Sequence, residues 1–97
     1  MLTTGVAVCD AATIGKAVAA VGTSQKTTAV LNPGGFKCAD GWAYAYANLG
    51  PAAHAVTVTL VFEAEGQFWV PMDRTKVCSA PGKDVPAAIF TQACQTN

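Results

Sequence analysis

The sequence predicts an α+β domain: an N-terminal helix, an antiparallel four-stranded meander sheet and a short C-terminal helix, held by two disulfides. Three observations predict it. Apolar residues recur at helical spacing behind Asp10, residues 55–65 alternate between two faces, and four cysteines are spread along a chain of only 97 residues.

The first helix is expected over residues 10–21. Asp10 has the chemistry of an N-cap, Ile14, Ala17, Val18 and Val21 form one apolar stripe, and Gly22 supplies a stop. Gly15 costs this helix about 1 kcal/mol relative to alanine, or else lets it approach a sheet closely. Residues 26–31 are β-branched enough for a first strand, and Asn32-Pro33-Gly34-Gly35 is a turn signal. A second strand is expected over 36–47, with Trp42, Tyr44 and Tyr46 on one face and Ala43, Ala45 and Ala47 on the other. Residues 48–51 (Asn-Leu-Gly-Pro) break the run.

The third strand, 55–65, sets Val56, Val58, Leu60, Phe62 and Ala64 against Thr57, Thr59, Val61, Glu63 and Glu65. Gly66 turns it into a fourth strand over 68–70, and Pro71 makes that strand an edge or ends it. Residues 79–83 read as a loop, Asp84 as a cap, and Pro86 as a first-turn residue of a short helix over 87–94 that carries Ile89, Phe90 and Ala93. The layering expected from this order is a sheet covered on one face.

Cys9, Cys38, Cys78 and Cys94 lack the tight pairing of zinc ligands, there is one histidine, and no C-x-x-C pair exists. No metal and no cofactor are expected. Two structural disulfides fit better, and they imply an oxidising compartment. Four cysteines allow three pairings; Cys9–Cys38 with Cys78–Cys94 is favoured because neighbouring elements are commonly adjacent in space. Met1-Leu2-Thr3-Thr4 has neither the charged nor the apolar region of a signal peptide. The expectation is therefore a mature fragment whose export signal has been removed, with Met1 an added residue.

Composition excludes several classes. Hydrophobic residues make up 52% of the chain, too many for a disordered segment. Six basic and six acidic residues cancel and are scattered, so no basic stripe exists for nucleic acid or anionic lipid. No apolar stretch is long enough for a transmembrane segment. Low charge leaves little repulsion between copies, which permits self-association, but the oligomeric state is not legible.

Catalytic chemistry has few candidates. Glu63 and Glu65 lie at i and i+2 on one strand, about 6–7 Å apart at the backbone, within the range of glycosidase carboxylate pairs; the alternative is a solvated strand face. His54 lies in a loop, and neither Ser24 nor Ser79 sits in a nucleophile elbow. Oxidised cysteines offer no thiolate. Asn32–Gly35 lacks the G-K-[ST] ending of a phosphate loop, and Asp73-Arg74 reads as a structural pair.

The aromatic residues offer more. Trp42, Tyr44 and Tyr46 form a stripe, and Phe68-Trp69 lies on a neighbouring strand. Such a surface can stack on a glycan or anchor a protein partner. Alternatively the stripe is the core face under the helices; if the alanine face takes a helix instead, the stripe is exposed.

Several segments resemble a group of small exported actinobacterial, mycobacterial-type four-cysteine proteins and lipoprotein-like domains of unknown function. They are Cys9-Asp10-Ala11-Ala12, Lys37-Cys38-Ala39-Asp40-Gly41-Trp42-Ala43, Phe68-Trp69-Val70 leading to Asp73-Arg74, Val85-Pro86-Ala87, and Ala93-Cys94-Gln95-Thr96-Asn97. The resemblance implies export and the four-cysteine frame, and carries no catalytic residue. The expected function is a single exported domain acting as a non-enzymatic binding or interaction module. It would work at the cell envelope or outside the cell on a protein or envelope component, with Trp42, Tyr44, Tyr46 and Trp69 as contacts. The alternatives are a small envelope hydrolase using Glu63, Glu65 or His54, and a carrier of a small apolar ligand in an enclosed cavity between helix and sheet.

Overall fold

A computed structural model describes residues 7–79, 82 and 84–95. The expectations for residues 1–4, 80, 81, 83, 96 and 97 lie outside the described residues.

Helix α1 (Ala11–Ser24) starts at Asp10, whose extended backbone (φ −144°) precedes the helix and whose carboxylate accepts the Thr13 N–H at 2.7 Å. This satisfies one of the four donors that a helix start leaves without partners. The helix runs three residues beyond the expected stop. Lys26 supplies the left-handed residue that ends it (φ 59°), while Thr27 N–H donates to Gly22 O and Lys26 N–H to Thr23 O, the two bonds of a Schellman closure. Gly22 is needed for another reason. A Cβ there would lie 2.5 Å from the backbone nitrogen of Ala29, so the glycine lets the helix touch the start of the sheet. Gly15 has open space around its α-carbon and mediates no such approach.

Four strands follow in the order β1-β2-β3-β4, all antiparallel: β1 (Ala29–Ala39), β2 (Trp42–Leu49), β3 (Val56–Glu65) and β4 (Phe68–Met72). The first hairpin departs from the expectation. Its turn is Asp40-Gly41, not residues 32–35, and both turn residues are left-handed (φ 49° and 82°). That is the geometry whose twist matches the flanking strands, and Asp-Gly is a sequence suited to it. Residues 32–35 instead bulge out of β1 opposite Tyr46, between the pairs Leu31↔Ala47 and Phe36↔Ala45. In an unbroken strand Leu31 and Phe36 would face opposite sides; the bulge puts both on one face. The second hairpin closes through Gly66-Gln67, and Pro71 sits on the outer strand β4, where a missing N–H is tolerated.

Two short helices complete the chain, α2 (Arg74–Val77) and α3 (Ala87–Cys94). Asp73, not Asp84, provides a side-chain cap: its carboxylate accepts from Thr75 N–H at 3.0 Å and from Thr75 Oγ1 at 2.7 Å, at the start of α2. Pro86 stands immediately before α3, which has no side-chain cap.

The sheet is covered on both faces, not one. On the first face Ile14, Val18 and Val21 of α1 pack on Ala43, Ala45, Ala47 and Phe62. The alanines bring the helix close to β2. On the second face Ile89, Phe90 and Ala93 of α3, with Val77 and Val85, pack on Tyr44 and Val61. Successive residues of β2 and β3 therefore serve different cores, which is why their sequences are apolar on both sides of the pleat.

Both disulfides pair as favoured by the sequence. Cys9–Cys38 joins the segment before α1 to β1, with Cα atoms 6.3 Å apart, and Cys78–Cys94 joins the end of α2 to the end of α3, at 5.5 Å.

Candidate functional site

The aromatic residues that the sequence offers as contacts do not share a surface. Trp42, Tyr44 and Tyr46 lie on the α3 face, whereas Trp69 packs in the core under α1. Tyr44 is only 8% exposed, and its ring sits 5.1 Å from that of Tyr46. Burial beside a second phenol pushes the Tyr44 hydroxyl above the ordinary value of 10.0. Helix α3 is eight residues long, too short to roof the whole stripe, so Trp42 and Tyr46 at its flanks stay half-buried. Both readings of the stripe are thus partly realised: its centre is core and its ends reach solvent.

Trp69 is held precisely. It lies opposite Ala64, and its indole N–H donates to Val8 O at 2.9 Å. Ala7 is buried in the α1 core and Cys9 is bonded to Cys38. Residues 7–9 thereby form a strap before α1 that is tied through side chains to both β4 and β1.

A groove opens beside this tryptophan. Helix α1 lies mainly over β1, and only its flank reaches β4. Between them is a concavity of about 420 Å³, open to solvent. Ala17 and Ala20 line its helix side, and Phe68 and Trp69 its strand side; Thr13, Lys16 and Gln67 complete it. The alanines explain the opening, because short side chains on this flank leave the gap that a leucine would fill. Phe68 is 74% exposed, the most exposed of the large apolar side chains among the described residues. Among the described residues Lys16 is the only ionisable one of the lining.

Sequence reasoning set Phe68 beside Trp69 in the aromatic group but carried only Trp69 forward as a contact, and it missed Ala17 and Ala20 as groove residues. The available signal was strand alternation: if Trp69 faces a core, its neighbour Phe68 cannot share that burial.

The possible acid–base residues are not assembled together. Glu63 and Glu65 stand at the β3–β4 hairpin end of β3, Glu63 half-buried and Glu65 exposed. His54 is exposed on a 3-10 turn (Ala52–His54) before the opposite end of that strand. Glu63 lies seven residue steps along the strand from Val56, roughly 23 Å. Two other concavities exist, one of about 390 Å³ lined by Arg74, Thr75, Cys78 and Cys94 and one of about 310 Å³ beside Thr28 and Asn48; neither contains these residues. Arg74 reaches across from α2 to the carbonyl of Thr59, at 3.5 Å.

Among the described residues no group of three His, Cys, Asp or Glu side chains could hold a metal ion, and no helix is long and apolar enough to cross a membrane. Fold and site together define a disulfide-stapled three-layer domain with an apolar groove on one flank. No family model, no curated protein and no solved structure matches the chain.

Proposed function

We propose that this domain is a non-enzymatic binding module that works outside the cytoplasm, at the cell envelope or beyond it, and that it binds through the α1–β4 flank. One observation carries the reading: a 74% exposed Phe68 stands beside an apolar groove with Trp69 in its wall. An aromatic pair held next to a gap of this kind is an anchor waiting for a complementary group. The two disulfides support the compartment, because such bonds persist in oxidising surroundings. So does the resemblance to small exported actinobacterial proteins carried by the segments around Cys9, Cys38, Phe68 and Cys94.

The competing hydrolase must work with Glu63 and Glu65 alone, since His54 stands at the far end of the strand. A carrier would call for an enclosed cavity, and the groove is open.

The test compares retention of the purified domain on envelope preparations from a cell that exports it. Phe68→Ser removes the exposed ring and is expected to abolish retention while leaving near-ultraviolet circular dichroism unchanged. Glu63→Gln with Glu65→Gln is expected to leave retention intact. Retention that survives Phe68→Ser, or turnover of envelope glycan that disappears in the double glutamate variant, overturns the proposal.

A further inference from the structure

The α1–β4 groove has a chemistry that selects among occupants. We infer that it binds a small anionic amphiphile, a single unbranched acyl chain ending in one carboxylate, with the chain along Ala17, Ala20 and Trp69 and the head at Lys16. The inference rests on the binding-module reading and names the ligand class for that same site.

Size points to a small molecule. A volume of about 420 Å³ falls inside the range of small-ligand pockets, and a chain of about ten carbons fits within it. Much of the wall is apolar: Ala17, Ala20 and Phe68 have no side-chain donors, the indole N–H of Trp69 is already given to Val8 O, and the Thr13 hydroxyl is engaged with Asp10. That leaves the Gln67 amide and Lys16 as polar partners, too few for the many hydroxyls of a sugar, and buried polar groups without partners are costly.

Charge decides the head. Among the described residues Lys16 is the only ionisable one in the lining, no carboxylate lines the groove with it, and its side chain is exposed. Asp10 is a competitor, since its carboxylate feels the Lys16 charge. Its Oδ1 is committed to the start of α1, where it accepts the Thr13 N–H. A ligand carboxylate beside Lys16 therefore gains an attraction that a neutral head lacks and that a cationic head reverses.

The test uses decanoate, decanol and decyltrimethylammonium, each below its micellar concentration, added to the disulfide-bonded domain at low salt. Trp42→Phe leaves Trp69 as the sole indole, because Trp42 lies on the opposite face. Decanoate is expected to shift Trp69 emission and to move the backbone amide signals of residues 13–20 and 67–69. It should bind roughly threefold to fivefold tighter than decanol, the strength of an exposed ion pair. Affinity should rise from hexanoate to decanoate by up to about fourfold per methylene, the increment for full burial. Lys16→Glu is expected to reverse the order of decanoate and decyltrimethylammonium, and Ala20→Phe to block all three.

Equal binding of the three heads, or an order unchanged by Lys16→Glu, overturns the anion assignment. Absence of any shift in the groove with all three overturns the amphiphile site. Neither result touches retention on envelope preparations through Phe68, so failure here is distinguishable from failure of the binding-module reading.

Discussion

The indole N–H of Trp69 donates to the carbonyl oxygen of Val8, 2.9 Å away and 61 residues earlier in the chain. With Cys9–Cys38 it fixes the strap that leads into α1 at both of its ends. Trp69→Phe keeps an aromatic ring in the core but strands the Val8 carbonyl. A loss of about 1 kcal/mol is expected, read as a lower urea midpoint with an unchanged slope. A midpoint equal to that of the parent would show that the bond contributes nothing.

The disulfides close loops of 29 and 16 residues. In the chain-entropy model their removal as serine pairs costs about 3.6 and about 3.1 kcal/mol, respectively. Peptide mapping without reductant should recover Cys9 with Cys38 and Cys78 with Cys94; a Cys9–Cys94 peptide would contradict the pairing.

Two glycines of α1 should respond in opposite directions to the same substitution. Gly15→Ala meets no atom within 4 Å, and should stabilise the helix by roughly 0.5–1 kcal/mol. Gly22→Ala drives a methyl group into the Thr28–Ala29 backbone and should destabilise by about 1–3 kcal/mol. Thermal denaturation of the two variants beside the parent decides the matter, and equal shifts would refute the close contact.

Tyr44 and Phe68 test which aromatic residues are core. Tyr44→Ala empties a site that is 8% exposed and should cost about 3 kcal/mol, whereas Phe68→Ser on the surface should change stability by no more than about 0.5 kcal/mol. Denaturant titration of both variants provides the comparison. An inverted order would mean that α3 does not roof β2 as described.

Acid and alkali should act through different groups. Hydrogen bonds from Thr13 and Thr75 hold Asp10 and Asp73 below the ordinary value of 3.8. Near that value the unfolded chain binds more protons than the folded one, so their contribution is present above pH 3.8 and fades as pH falls through the lowered values. Tyr44 is raised above 10.0, so its contribution is intact below pH 10.0 and declines above it, where the unfolded phenol ionises first. Carboxyl-carbon NMR titration of Asp10 and Asp73 should give midpoints under 3.8. Midpoints at or above it would remove the capping argument.

Much of this fold was legible because the relevant signals are local. Alternation over 55–65 located β3, the stripe of Ile14, Val18 and Val21 located α1, and the cysteine spacing favoured the pairing that the structure shows. The first hairpin was misplaced because Asn32-Pro33-Gly34-Gly35 looks the stronger breaker. Position is decided instead by pairing across the sheet, and Asp40-Gly41 alone lets Ala39 and Trp42 close on each other. The second covered face was missed for a related reason. Alternation tells which residues share a side but not how many sides are roofed, and Val61 opposite Phe62 was the hint that both are. The groove was hidden because it arises from where α1 comes to rest, a tertiary fact that the small residues Ala17 and Ala20 only permit.

The bulge at residues 32–35 bears on what the border of the sheet offers to another strand. A sheet with open borders invites another strand to add on, and charged border residues are a common deterrent. This protein has a net charge of zero and few charged residues to deploy. Its borders are spoiled in the backbone instead. Residues 32–35 break the hydrogen-bonding rhythm of β1, and Pro71 removes a donor from β4. These obstacles to strand addition lie in two prolines and a loop-out, which changes in pH or salt do not alter.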